Sequence, residues 1–167
     1  MTIAAPHAPH STFRAFRNYN YRLYWSGQVV SVTGTWMQRI AQDWLVLRLT
    51  DSPLALGLIS AVQFTPILLF SLFGGVFADR MPKVRLLTVT QSVMAVQSLV
   101  FAILVSTHLI ELWQIFILTA VLGTASAMDV PTRQAFVMEM VGPDDVPNAV
   151  ALNSIQFNVA RILGPAL

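Results

Sequence analysis

Apolar stretches long enough to cross a bilayer recur along this chain, and no other feature constrains its fold as strongly. A helix needs about 20 residues to span some 30 Å of hydrocarbon. Several runs here reach that length, with only short polar breaks between them. Hydrophobic residues make up 55% of the 167 positions and the mean hydropathy is +0.63, which excludes a soluble domain. The runs are continuous, whereas a membrane barrel alternates apolar and polar residues over segments of about ten. The chain therefore reads as all-α, a polytopic membrane helical bundle.

Five spans are expected, at roughly 23–49, 54–78, 84–106, 112–128 and 147–167, after a tail and interfacial segment at 1–22. Thr50-Asp51-Ser52-Pro53 is a turn and helix start. Thr107 and His108 open a loop that carries Glu111. From 129 to 146 the chain holds Pro131, Gly142-Pro143 and Asp144-Asp145, so it is expected to leave the bilayer there. The fifth span is still running at Leu167, so the chain reads as the front part of a larger protein. Arg14, Arg17 and Arg22 sit among aromatics before the first span, a pattern suited to the headgroup interface.

Asp79, Arg80, Lys83 and Arg85 fall within seven residues between two apolar runs, in a chain only 11% charged. Basic loops resist translocation, so this loop marks the cytoplasmic side. With the N-terminus inside, Arg14, Arg17, Arg22, Arg80, Lys83, Arg85 and Arg133 all fall on that side, against Arg48 alone near an outer end. The same topology accounts for the net charge of +2 without nucleic acid as a partner. There is no cysteine, hence no disulfide or thiol chemistry. The N-terminus lacks the basic and apolar regions of a signal peptide. Its His7 and His10 read as part of a solvated tail, not a metal site.

Two spans carry polar faces. In the first, Ser31, Thr35, Gln38 and Gln42 share one side, extended by Tyr24 and Gly27, with Arg39 and Asp43 four apart on its flank. A charge in mid-span costs roughly 2.5–3.5 kcal/mol, so each must pair or face water. Arg39 and Asp43 either contact substrate or a proton, or form an ion pair that only fixes helix packing. In the fifth span Ser154, Asn158 and Arg161 share a face that cannot point at lipid. Arg161 then needs a partner on another helix or an anionic ligand. Gly164-Pro165 weakens that helix and permits close approach. Gly75 would let neighbouring spans approach, and Asp79 could cap a helix or meet a cation such as Arg133. Alternatively these loop charges only set topology.

GGVFADRMPKVR resembles the signature of the major facilitator superfamily between its second and third spans, with Gly75, Asp79, Arg80, Lys83 and Arg85 in place. Two departures stand out: Pro82 where the family usually has glycine, and Val84 inside the basic pair. Ala160, Gly164 and Pro165 resemble the motif typical of the family's exporters, with alanine for its first glycine. WMQRIAQDWLVLRLTDSPLALGL, PTRQAF and NAVALNSIQFNVARILGP are similar to the enterobactin-exporter-like bacterial branch.

The resemblance implies twelve spans in two halves that rock about a midplane site, so a C-terminal half of the same protein is expected as a partner. It implies that Asp79 joins a charge network, with Arg133 as the available partner, that closes the inner side. It also implies that the Gly164-Pro165 region packs against the second half.

The expected function is a secondary active exporter, a proton antiporter for a small amphiphilic drug, siderophore or metabolite. It would sit in the bacterial inner (plasma) membrane with its N-terminus cytoplasmic. The candidate path is Gln38, Arg39, Gln42, Asp43, Asn158 and Arg161, with Asp43 as proton or substrate site. No cofactor is expected: a Walker A sequence is missing, so this chain does not bind ATP. HExxH and Gly-x-Ser-Gly are also missing, which argues against an intramembrane enzyme. A non-transporting assembly or receptor subunit is the alternative.

Overall fold

The computed structural model describes residues 13–166, apart from the side chains of residues 71–80 and 165. A 3-10 turn at Arg14–Arg17 precedes α1 (Tyr19–Thr50), which is followed by α2 (Pro53–Arg80), α3 (Lys83–Ser106), α4 (Leu112–Val141) and α5 (Val146–Leu163). A last 3-10 turn covers Gly164–Ala166, and no strand occurs among the described residues. The tail with His7 and His10 lies outside the described residues.

The helix ends follow from local chemistry. The Asn18 side chain accepts from the backbone N–H of Asn20 and Tyr21, at 3.0 and 3.4 Å, and so caps α1. α1 stops where Asp51 turns into the left-handed region at φ 47°, its N–H still bonded to Leu47 O at 2.8 Å. Pro53 then opens α2, where its missing donor costs nothing. Gln114 Oε1 accepts from Glu111 N at 2.9 Å to start α4.

Two expectations require correction. The fourth helix does not end at Met128; α4 runs on to Val141. Pro131 removes one backbone donor, and a packed membrane helix tolerates that loss. Asp129, where the exit was expected to begin, is buried at 1% exposure and satisfied by side chains. The segment before α1 is not simply spread on an interface either. Ala15 and Tyr21 are buried, and Tyr19 to Arg22 already belong to α1. Ala15 N donates to Asn148 Oδ1 at 3.0 Å, Asn18 Nδ2 to Met140 O at 2.7 Å, and Tyr21 OH to Ala149 O and Asn153 Oδ1.

α4 packs along both α2 and α3, and α1 leans on α5. Water does not drive helices together inside lipid, so close approach at small residues matters most. A Cβ on Gly123 of α4 would lie 2.5 Å from Gln63 O of α2. One on Gly164 would lie 2.7 Å from Trp36 Cβ of α1. Gly164 therefore packs against α1 of this same chain. Pro165's side chain is outside the description.

By length and composition, Pro53–Phe70, Lys83–Ser106 and Leu112–Val141 are apolar enough to cross a membrane. α1 and α5, the two helices expected to carry polar faces, do not reach that level among the described residues. Apolar clusters close both ends of the bundle. Tyr21, Val137, Ala149 and Leu152 pack at the end that carries the N-terminus. Val46, Ile59, Phe101 and Ile115 pack at the other. The polar side chains are left for the middle.

Candidate functional site: a polar cavity among the helices

A ring of side-chain bonds joins α1, α3 and α4 in that middle zone. Asp129 Oδ1 on α4 accepts from Thr90 Oγ1 at 2.8 Å and from Gln91 Nε2 at 2.9 Å, both on α3. Its other oxygen pairs with Arg133 Nη2, one turn along α4. Arg133 Nη1 donates to Gln28 Oε1 on α1. Ser31 Oγ on α1 lies 3.4 Å from Gln91 Oε1, which closes the ring. A buried carboxylate is costly unless it is paired and its remaining lone pairs are filled. The two α3 donors and the guanidinium meet that requirement.

A second group of amides bridges α1 and α3 further along. Gln38 Nε2 donates to Gln97 Oε1 at 3.1 Å, and Ser98 Oγ donates to Gln38 Oε1 at 2.6 Å. These two helices meet through long side chains more than through close backbone packing. Such a contact can rearrange by rotamer changes, without prising apart a packed core.

The ring borders a cavity of about 470 Å³. α1 supplies Tyr24, Gln28, Thr35, Gln38, Arg39 and Gln42. α2 adds Gln63 and Phe64, α4 adds Asp129, Arg133 and Gln134, and α5 adds Asn153, Gln156 and Phe157. The Arg39 guanidinium lies 5.4 Å from the Trp36 ring and 5.1 Å from the Phe64 ring, within cation–π range of both. Trp36 in turn meets Phe157 edge to face at 5.5 Å. The cavity thus combines amides, one aromatic wall and an internally paired acid.

Of the residues expected on a substrate path, Gln38, Arg39 and Gln42 line this cavity. Asp43 does not, and it makes no ion pair with Arg39 among the described residues. Asn158 and Arg161 lie on the exposed side of α5, together with Ser154. α5 turns Ala149, Leu152, Gln156 and Ala160 inward instead, because small residues there allow it to approach α1.

Arg133 does not lie beyond a span; it stands within α4, engaged with Asp129 and Gln28. Gly75, Asp79 and Arg80 fall in the last turns of α2, and their side chains lie outside the description. Lys83 meets Glu139 of α4 at 2.6 Å, while Arg85 is exposed.

Sequence reasoning missed Asp129, Gln28, Gln63 and Gln156. The i,i+4 spacing of Asp129 and Arg133 was the available signal, hidden once Pro131 was read as a helix end. Gln156 lies on the face of α5 opposite the one that drew attention.

Strongly apolar helices enclosing an amide-lined cavity define a multi-pass α-helical membrane protein. Residues 10–167 match the family described as transmembrane secretion effector, and the chain belongs to that family, within the major facilitator superfamily. It is 29% identical over 147 residues to the staphyloferrin A transporter of Staphylococcus aureus, covering 87% of this chain and 37% of that protein. It is 25% identical to the uncharacterized MFS-type transporter YfiS of Bacillus subtilis, covering 85% of this chain and 33% of the relative. Macrolide efflux protein A of Streptococcus pyogenes is 20% identical over 91% of this chain and 38% of its own length. The chain thus spans 33–38% of the length of these relatives. No solved structure gives a significant match.

Proposed function

We propose that this chain forms the leading helices of a secondary active exporter that moves a small amphiphilic molecule out across the bacterial plasma membrane by alternating access. In this reading the N-terminus is cytoplasmic, and further helices of the same protein face the open side of the cavity. The observation that carries the reading is the polar ring: a buried acid, internally paired, on the wall of a cavity large enough for a small molecule. The relatives named for transport and efflux support the class.

Proton antiport is the coupling we propose, with Asp129 in the role the sequence suggested for Asp43. Protonating Asp129 removes its hold on Arg133. Arg133 in turn is what ties α4 to Gln28 of α1. A proton taken up on one side would therefore loosen the α1–α4 contact, and its release on the other side would restore it. The stretch with Gly75, Asp79, Arg80, Lys83 and Arg85, from the end of α2 into the start of α3, serves in this reading as the inner conformational latch.

These 167 residues contain no cysteine, so Gln38→Cys, placed in the full-length product with any further cysteines replaced by serine, provides a clean reporter. An exporter of this kind exposes that thiol to an impermeant maleimide from each side of the membrane in turn, the balance shifting with an imposed proton gradient. Labelling from one side only, unchanged by the gradient, rules out alternating access at this cavity.

A further inference from the structure

The cavity has an excess of hydrogen-bond donors. Tyr24 Oη, Gln156 Nε2 and Arg133 Nε are buried and have no hydrogen-bond partner among the described residues, and all three residues line the cavity. Asp129, the acid on this wall, is already filled by Arg133, Thr90 and Gln91. Arg39 has no ion pair among the described residues, and its guanidinium lies close to the rings of Trp36 and Phe64. A guanidinium without an ion-pair partner keeps its planar N–H fork for a ligand, and that fork matches a carboxylate in bidentate fashion.

From these features we infer that the cavity selects an anionic, oxygen-rich molecule whose carboxylate binds Arg39. This rests on the exporter reading and names its substrate class. The three unpartnered donor atoms are themselves covered, so side-chain rotation would turn Tyr24, Gln156 and Arg133 toward the ligand's remaining oxygens, while its carbon skeleton lies along Trp36 and Phe157. A lipophilic cation is disfavoured here. It would meet Arg39 directly, and the acid on the wall would have to give up an existing pair to receive it.

The test uses the full-length protein in detergent and three dansyl probes of similar size: dansylglycine as anion, dansylamide as neutral control and dansylcadaverine as cation. Dansylglycine should bind at least tenfold more tightly than either of the others. Arg39→Gln should abolish that preference while dansylamide binding persists, which also shows that the variant is folded. Arg39→Lys should retain part of the preference, and Asp43→Asn should leave it intact. Should Arg39→Gln fail to fold, Tyr24→Phe and Gln156→Met each remove one donor and should weaken dansylglycine several-fold without affecting dansylamide.

Equal or tighter binding of dansylcadaverine overturns the proposal. So does an anion preference that survives in Arg39→Gln, or no binding of dansylglycine at all. Proton-driven efflux of the cation from vesicles, insensitive to Arg39, would sink the anion assignment and keep the exporter. Absence of any gradient-driven efflux would sink the exporter itself.

Discussion

Asp129 and Arg133 stand one turn apart on α4, and each reaches a different neighbour: Asp129 binds Thr90 and Gln91 of α3, and Arg133 binds Gln28 of α1. A single ion pair within one helix thus ties three helices together. Removing one partner leaves the other without compensation in a low-dielectric setting. Asp129→Asn or Arg133→Gln should each destabilise the protein by about 3 kcal/mol. The double substitution should cost clearly less than the sum of the two. Unfolding in detergent, run as a double-mutant cycle, measures this, and strict additivity would show that the pair is not coupled.

The α2–α4 crossing is set by backbone contact. Gly123→Ala places a methyl 2.5 Å from the Gln63 carbonyl, so one helix must move. The expected loss is about 1–3 kcal/mol, the range for overpacked sites. Gly34→Ala meets nothing within 4 Å and should be neutral or slightly stabilising. Thermal unfolding of the two variants side by side checks the contrast.

Gly164 makes the corresponding contact between the end of α5 and α1. Gly164→Val would push against Trp36 and the backbone at Met37, and so disturb the aromatic wall that Trp36 forms with Arg39 and Phe157. A shift in Trp36 emission, read in a variant with the other tryptophans replaced by phenylalanine, is the expected result. An unchanged spectrum would place the contact elsewhere.

At the N-terminal end, buried and exposed polar contacts should differ in weight. Tyr21 is buried and donates to Ala149 O and Asn153 Oδ1, at 3.2 and 3.1 Å. Tyr21→Phe should cost about 1 kcal/mol. Arg14 meets Asp145 at 2.9 Å but is largely exposed, so Arg14→Ala should change stability by less than about 1 kcal/mol. Chemical denaturation of both variants separates the two cases.

Much of the architecture was legible because apolar run length and turn chemistry act locally. Asp51 and Pro53 mark a helix boundary through their own backbone preferences, and the structure breaks between α1 and α2 at that point. The polar stripe of α1 was legible because side chains three and four apart share a helix face. The site itself was harder to read, since its defining contacts join residues 38 to 105 positions apart, such as Gln91 with Asp129 and Gln28 with Arg133. Pro131 misled in a specific way. It marks a helix end in water, but inside a packed bundle one missing donor is affordable. On α5 both faces carry polar residues, and the choice between them depended on Ala160 and Gly164 fitting against α1, which only the packing reveals.

The most direct measurement is proton-coupled flux through the full-length protein in proteoliposomes, comparing the native sequence with Asp129→Asn at matched protein content. Dansylglycine efflux should follow an imposed proton gradient in the native protein. In the variant the gradient should lose its effect, while slow equilibration of the probe down its own gradient persists. Gradient-driven efflux undiminished in Asp129→Asn would contradict the assignment of this ion pair as the coupling element and leave it a structural tie among α1, α3 and α4.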